Sequence, residues 1–248
     1  MPGLYPRRLT LVPTRSITPA AVLTAMLRSD PGRPRITCYD DANGERIELS
    51  GKTFANWVAK AANLLQDSGD VTVGNTVGLD LPAHWRSTYW AMAAWSVGCV
   101  VVVGTEAADA DVVVTDSPGV AAACATDGRY AVLVTLAALA RANPATPEDV
   151  LDEAKELSGF GDRFDAWDTP EPDDPALVGD GEQAAYGQVV VRRDWPQRPR
   201  VQVDDHDLGP ALRAMLSAWA ADGSVLLVLN PAGDQARRSA AENVTATA

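Results

Sequence analysis

The strongest constraint on this chain is a unit near its middle: an apolar segment at 76–81, a run at 85–97 with apolar residues at helical spacing, Gly98, and a nearly unbroken apolar stretch at 99–103. The pattern predicts strand, helix and buried strand. Two strands joined through a helix of this length run parallel, since a short hairpin cannot connect them. A strand apolar on both faces must be covered on both faces. Segments 111–115 and 131–135 predict two further strands, with a short helix at 118–124 between them. The expected fold class is α/β, a mostly parallel sheet covered by helices.

On the N-terminal side, Thr18-Pro19 supplies a helix cap and a proline at the first helical position, and Val22, Leu23, Met26 and Leu27 continue a short helix. Residues 36–39 and 46–49 read as a hairpin, with Asn43-Gly44 as its two-residue turn. Ser50 then caps a longer helix with Phe54, Trp57, Val58, Ala61, Leu64 and Leu65 on one face, ending near Gly69. On the C-terminal side the pattern predicts a helix at 147–157, an acidic connection rich in glycine and proline, strands at 186–191 and 201–203, a helix at 208–221 and a buried strand at 224–229. The division expected is a 1–170 α/β domain, a shortened second α/β subdomain at 171–230 packed on it, and a disordered polar tail at 231–248.

A net charge of -12 repels phosphate backbones, and Arg192-Arg193 is too short a basic cluster to reverse it, so no nucleic-acid partner is expected. No apolar stretch approaches the roughly 20 residues of a membrane span, so no membrane partner is expected. Pro13 and Arg15 interrupt the apolar residues after Arg7-Arg8, which argues against a secretion signal. The three cysteines, Cys38, Cys99 and Cys124, are widely spaced among apolar neighbours and read as buried thiols. A cytoplasmic protein is the expectation.

The order of motifs between residues 48 and 104 resembles the front of the adenylate-forming superfamily, which includes acyl-CoA synthetases, luciferases and peptide-synthetase adenylation domains. The pieces are Leu49-Ser50, the helix bearing Phe54 to Leu65, Gly69, Val73-Gly74-Asn75-Thr76-Val77, Leu81-Pro82, the helix from Tyr89 to Trp95, and Gly98-Cys99. Residues 110–116, Asp173-Asp174-Pro175-Ala176-Leu177 and His206-Asp207-Leu208-Gly209 resemble later family segments, so the likeness runs from about 18 to 230. The chain also resembles a small actinobacterial group of truncated homologues of these enzymes. The resemblance implies the N-terminal part of an acyl-CoA synthetase-like fold without its C-terminal lid domain. It also implies that the chain stops before the segments with which relatives bind adenine and ribose and supply the catalytic lysine.

The family's phosphate loop is rich in Ser, Thr and Gly and carries a lysine, because small residues let backbone N–H groups approach an anion while hydroxyls and a cation complete the cradle. Here the matching stretch is Gly179-Asp180-Gly181-Glu182-Gln183-Ala184-Ala185-Tyr186-Gly187. It keeps glycines at 179, 181 and 187 but has neither the hydroxyls nor the lysine, and Asp180 and Glu182 add like charge where a triphosphate would lie. An ordinary turn is the simpler reading, no cofactor is expected, and no catalytic residue is assigned. His206 and Gly209 fall where the resemblance places the wall of an acyl pocket. Together with Asp204, Asp205 and Asp207, His206 also admits a helix cap or a metal site, the cap being the most economical reading. His84, Trp85, Tyr89, Met92 and Trp95 read as core of an amphipathic helix, with an aromatic cofactor box as the alternative.

Three functions stay open. One is a non-catalytic homologue that binds a small acyl or aromatic ligand or a protein partner. The second is a ligase component completed by another chain. The third is a homodimer or interaction protein with exposed tryptophans among Trp167, Trp195 and Trp219.

Overall fold

The computed structural model describes residues 17–179 and 181–248. Helix α1 (Pro19–Ser29) starts at Thr18, whose hydroxyl accepts from the Ala21 N–H at 3.3 Å. Strands β1 (Pro34–Asp40) and β2 (Glu45–Ser50) form the expected hairpin, but Asp40 pairs with Glu45 and leaves four loop residues rather than two. The Asp40 carboxylate accepts from the Ala42 N–H and the Asn43 amide, which stabilises the wider loop. Helix α2 (Gly51–Asn63) is capped by Ser50 and runs on through one wider turn, Leu64–Ser68, to Gly69.

The central unit is β3 (Thr76–Asp80), α3 (Trp85–Val97) and β4 (Val100–Val102). Gly98 ends α3 at φ 100°, and a Cβ there would sit 2.6 Å from the Val73 side chain. The chain continues through β5 (Val112–Thr115), α4 (Pro118–Thr126) and β6 (Tyr130–Leu133). The helix expected at 147–157 shrinks to β7 (Leu151–Asp152) and the single turn α5 (Glu153–Glu156). Asp149 lies at φ 64°, off the helical path. The Asp152 carboxylate accepts from the N–H groups of Asn143 and Ala154, so the helix starts only after it.

Next come β8 (Pro175–Gly179), β9 (Glu182–Ala185), β10 (Arg200–Val203), α6 (Leu208–Ala220), β11 (Ser224–Leu229), α7 (Gln235–Ala241) and β12 (Ala246–Thr247). The strand expected at 186–191 is a turn instead. Tyr186 turns inward to donate its hydroxyl to the Cys99 carbonyl, and the N–H groups of Gln188 and Val189 fold back to the Ala185 carbonyl. The tail expected to be disordered carries α7 and β12. Asp234 caps α7 and β12 pairs with β10, so the polar composition of the segment serves a cap and a sheet edge.

Two sheets organise these elements. One has the order β12-β10-β11-β1-β2, and the other β7-β6-β5-β3-β4-β8-β9. Both are parallel except for the hairpin partners β2 and β9. The N-terminal hairpin therefore shares a sheet with the last three strands, whereas β8 and β9 extend the sheet built on β3. The sheets do not divide at residues 170–171. One core joins them, with Ile36, Val225, Val77, Val101, Phe54, Trp90 and Met215 all buried in a single cluster. A second cluster lies on the outer face of the larger sheet. Val112 and Val114 face the main core while Val113, between them, faces Cys124 of α4, which is why all three are apolar without alternation. All three cysteines are buried free thiols.

Charged groups hold the chain ends to this frame. Arg35 is fully buried, donates to the carbonyls of Met26, Asp222 and Gly223, and pairs with the Asp222 carboxylate at 2.7 Å. Glu242, just after α7, accepts from Tyr39, Arg46 and Arg200 and so ties the C-terminal segment to β1, β2 and β10.

Candidate functional site

Ligands of parallel α/β sheets sit outside the carboxyl ends of the strands, where the connections splay apart. Here the carboxyl ends of strands from both sheets meet at one groove. A cavity of about 520 Å³ is lined by Pro82 and Ala83 beyond β3, Gln202 to His206 from β10 onward, and Leu227 to Pro231 from β11 onward. A second, of about 440 Å³, is lined by Asp80 and Leu81, Gly104 and Thr105 after β4, Asp116 after β5, and His206 to Leu208. Pro82 and His206 border both, so the two cavities are neighbouring parts of one groove.

The groove has an acidic character. Asp80, Asp116, Asp204, Asp205 and Asp207 line it, and neither cavity is lined by a lysine or arginine. Asp80 accepts from the Thr115 hydroxyl at 2.6 Å. Burial holds the Asp116 carboxyl above its usual range, and the negative charge of Asp80 adds to that rise. The floor is fixed: Asn230, at φ 47°, donates its amide to Asp40, and the Ala232 N–H donates to Asp41.

His206 lies at this groove, exposed, on the connection into α6. Asp207 occupies the cap position of α6 but makes no side-chain cap bond. Gly209 is buried in the first turn of α6 and lines neither cavity. The groove thus gathers His206 without Gly209. Asp80, Asp116, Gln202, Asn230 and Gln235 were missed from the sequence. A usable signal was present for three of them, because a polar residue directly following an apolar strand (Leu79-Asp80, Thr115-Asp116, Leu229-Asn230) marks a strand's carboxyl end.

The stretch compared with a phosphate loop is a β-hairpin. Gly179 pairs with Glu182 and Val178 with Gln183, so only positions 180 and 181 connect the strands; Asp180 lies outside the described residues. Gly179 takes φ 105°, and a Cβ there would come within 2.1 Å of the Val103 carbonyl oxygen. Gly187 sits beyond the far end of β9, where its N–H donates to the Pro172 carbonyl. The glycines at 179, 181 and 187 therefore do not converge on one concave surface. The residues between 181 and 187 run mainly as a strand paired with β8.

His84 belongs to the core rather than to a cofactor box. Its Nδ1 accepts from the Arg86 N–H at 3.2 Å and Ser87 returns a bond to the His84 N–H, so the pair caps α3. Burial, followed by the nearby Arg86 charge, lowers its pKa to about 3. Of the three tryptophans considered as surface anchors, Trp219 is buried in the core, Trp195 is half-buried beneath Arg193, and Trp167 is exposed. Among the described residues, no three His, Cys, Asp or Glu side chains are grouped to hold a metal, and no helix is long and apolar enough to cross a membrane.

No protein-family model matches the chain. A TIGR03089 family protein of Mycobacterium tuberculosis is 34% identical over 237 residues, covering 91% of this chain and 95% of that protein. Among solved structures, acetoacetyl-CoA synthetase from Streptomyces lividans aligns with a TM-score of 0.69 and 16% identity over 92% of this chain and 41% of that enzyme. Coronafacic acid ligase from Pectobacterium brasiliense aligns with a TM-score of 0.66 and 12% identity over 86% of this chain and 46% of that enzyme. The chain spans less than half the length of these ligases. At such identities the likeness shows the fold, mostly parallel sheets with helices as in the N-terminal domain of acyl-CoA synthetase-like enzymes, which the motif order had implied.

Proposed function

The chain belongs to the TIGR03089 family, and from that premise we propose that it is a non-catalytic homologue of adenylate-forming acyl-activating enzymes whose strand-end groove binds a small acyl or aromatic ligand bearing no phosphate. One observation carries this reading: a groove of the right place and size is bordered by five aspartates and no cation. Acyl-adenylate formation requires positioned phosphates and neutralised developing charge. At this groove the nearest charges have the wrong sign, and the stretch aligned with the phosphate loop is a tight hairpin. Apolar walls remain at Pro82, Ala83 and Leu227, beside the polar side chains of Gln202, Asn230 and Gln235, a mixture suited to a small organic ligand.

The test has two parts. The purified chain is expected to show no ATP–pyrophosphate exchange with a broad panel of carboxylic acids. Small-molecule hits found by ligand-observed NMR are expected to lose binding in Ala83→Phe, which narrows the groove. Robust exchange, or hits indifferent to the substitution, would reject the reading.

A second reading is a ligase component completed by another chain, and the likeness of fold to the two solved ligases is its support. Its test is co-purification of a complementary subunit followed by an acyl-AMP assay, and absence of product in the presence of that subunit rejects it.

A further inference from the structure

On the face of the smaller sheet turned away from the main core, β1 presents Thr37 and Tyr39, β2 presents Arg46 and Glu48, and β10 presents Arg200, each alternating with a core residue. The segment after α7 lies against this face through Glu242, and a cavity of about 540 Å³ opens beside it. Its lining carries Arg33, Arg46, Arg198 and Arg200 against Glu48 and Glu242, the reverse of the aspartate-lined groove.

The guanidiniums gather at two carboxylates. Asp222 receives three, Arg35 at 2.7 Å, Arg198 at 3.0 Å and Arg33 at 3.5 Å. Glu242 receives Arg200 and, at 3.1 Å, Arg46. Glu48 adds a bond to Arg46 at 2.8 Å, and the charge of Asp30 acts on Arg33. Five guanidiniums therefore face four carboxylates, so positive charge stays in excess here on a molecule of net charge -12. Burial lowers the pKa of Arg33, and the charges of Arg35 and Arg198 lower it further against the pull of Asp222. The donors left over are open to solvent. Arg198 uses only its Nε–H, on Asp222, and its side chain is 65% exposed. Arg46 uses its Nε–H and one terminal nitrogen, and its side chain is 43% exposed. Both terminal nitrogens of Arg198 and one of Arg46 have no partner among the described residues.

The two centres are separate. Arg200 stems from β10 and Arg33 from the residue before β1, two places apart in the sheet, or about 10 Å at the ordinary strand spacing. A compact anion reaches one centre at a time. An extended peptide advances about 3.3 Å per residue, so carboxylates three residues apart reach both. The planar fork of a guanidinium takes a carboxylate through two parallel hydrogen bonds. Glu48, Glu242 and the net charge of the chain oppose a nucleic-acid strand, which brings a phosphate with every nucleotide. We propose that this cavity is a docking site for an extended acidic peptide segment of a partner protein, with one carboxylate meeting Arg198 beside Asp222 and a second, about three residues on, meeting Arg46 beside Glu242.

The probe is a labelled, end-capped peptide with two glutamates three positions apart and only glycine and serine elsewhere, followed by fluorescence anisotropy. It is expected to bind saturably at low ionic strength and about tenfold more weakly at physiological salt, because exposed ion pairs are screened. The same peptide with glutamine for glutamate is expected not to bind. Arg198→Gln leaves Asp222 paired with Arg33 and Arg35 and is expected to weaken binding about fivefold, the upper worth of one exposed ion pair. Asn243→Asp adds a negative charge to the lining with little change of shape, at a φ of 56° that aspartate tolerates, and is expected to weaken binding by a similar factor. Ala83→Phe in the strand-end groove is expected to change nothing, which separates this surface from the site proposed above. No anisotropy change at millimolar protein and low salt, equal binding of the glutamine peptide, wild-type affinity in both Arg198→Gln and Asn243→Asp, or tighter binding of a short single-stranded oligonucleotide would overturn the proposal.

Discussion

At the scale of single residues, His84 and Glu242 are held in charge states that acid disturbs. His84 is the clearest case, since it must stay neutral to accept the Arg86 N–H. Its pKa falls from the ordinary 6.5 to about 3. The unfolded chain therefore takes up a proton near pH 6.5 that the folded chain refuses, and the stability contributed by His84 is complete above that pH and drains away as pH falls toward 3. Glu242 acts in the same direction. Burial would raise its pKa, but the bonds from Tyr39, Arg200 and Arg46 outweigh burial and lower it, so its contribution is lost as pH falls below the ordinary glutamate range. His84→Asn keeps a cap acceptor and removes the titration. The variant is expected to show a flatter dependence of stability on pH between 6.5 and 4 than the parent, measured by urea unfolding at several pH values. Parallel curves would show that His84 does not drive the acid sensitivity.

At the scale of elements, the β8–β9 hairpin decides the functional reading, and Gly179 decides the hairpin. Its φ of 105° is one that side chains with a Cβ rarely adopt, and the Val103 carbonyl occupies the space a Cβ would need. Gly179→Ala is expected to destabilise the fold by about 3 kcal/mol, the upper end of the cost of a strained backbone position, seen as a lower urea midpoint with an unchanged slope. A neutral result would mean that the hairpin relaxes readily into another shape. The same hairpin shows where sequence reading works and where it stops. Elements with their own caps and periodicity were legible: Thr18, Ser50 and Gly98 mark helix ends locally, and β5 shows by its unbroken apolar run that both faces are buried. Elements fixed by distant partners were not. Tyr186 leaves the strand pattern because the Cys99 carbonyl, 87 residues earlier, accepts its hydroxyl. The segment at 147–157 loses most of its helix to pairing of β7 with β6 and to the bonds gathered by Asp152. His206, singled out through the motif order, borders the groove, whereas Gln202 and Gln235 carried no local signal because only tertiary structure brings them there.

At the scale of the whole molecule, chain order and spatial order diverge. The first hairpin and the last strands build one sheet, the middle of the chain builds the other, and the carboxyl ends of strands from both sheets open onto the same groove. Open parallel sheets offer the space beyond their carboxyl ends to a ligand, and the side chains around the opening determine what can enter. Here they add negative charge to a molecule whose net charge is already -12, and both fields repel a nucleotide. The most direct measurement is a calorimetric titration of the isolated chain with ATP in excess magnesium at low ionic strength, where attraction to an anion would be strongest. No heat of binding up to millimolar nucleotide is the expected result. Saturable, magnesium-dependent binding that an Asp80→Asn substitution alters would contradict it, and would mean that this groove handles phosphate.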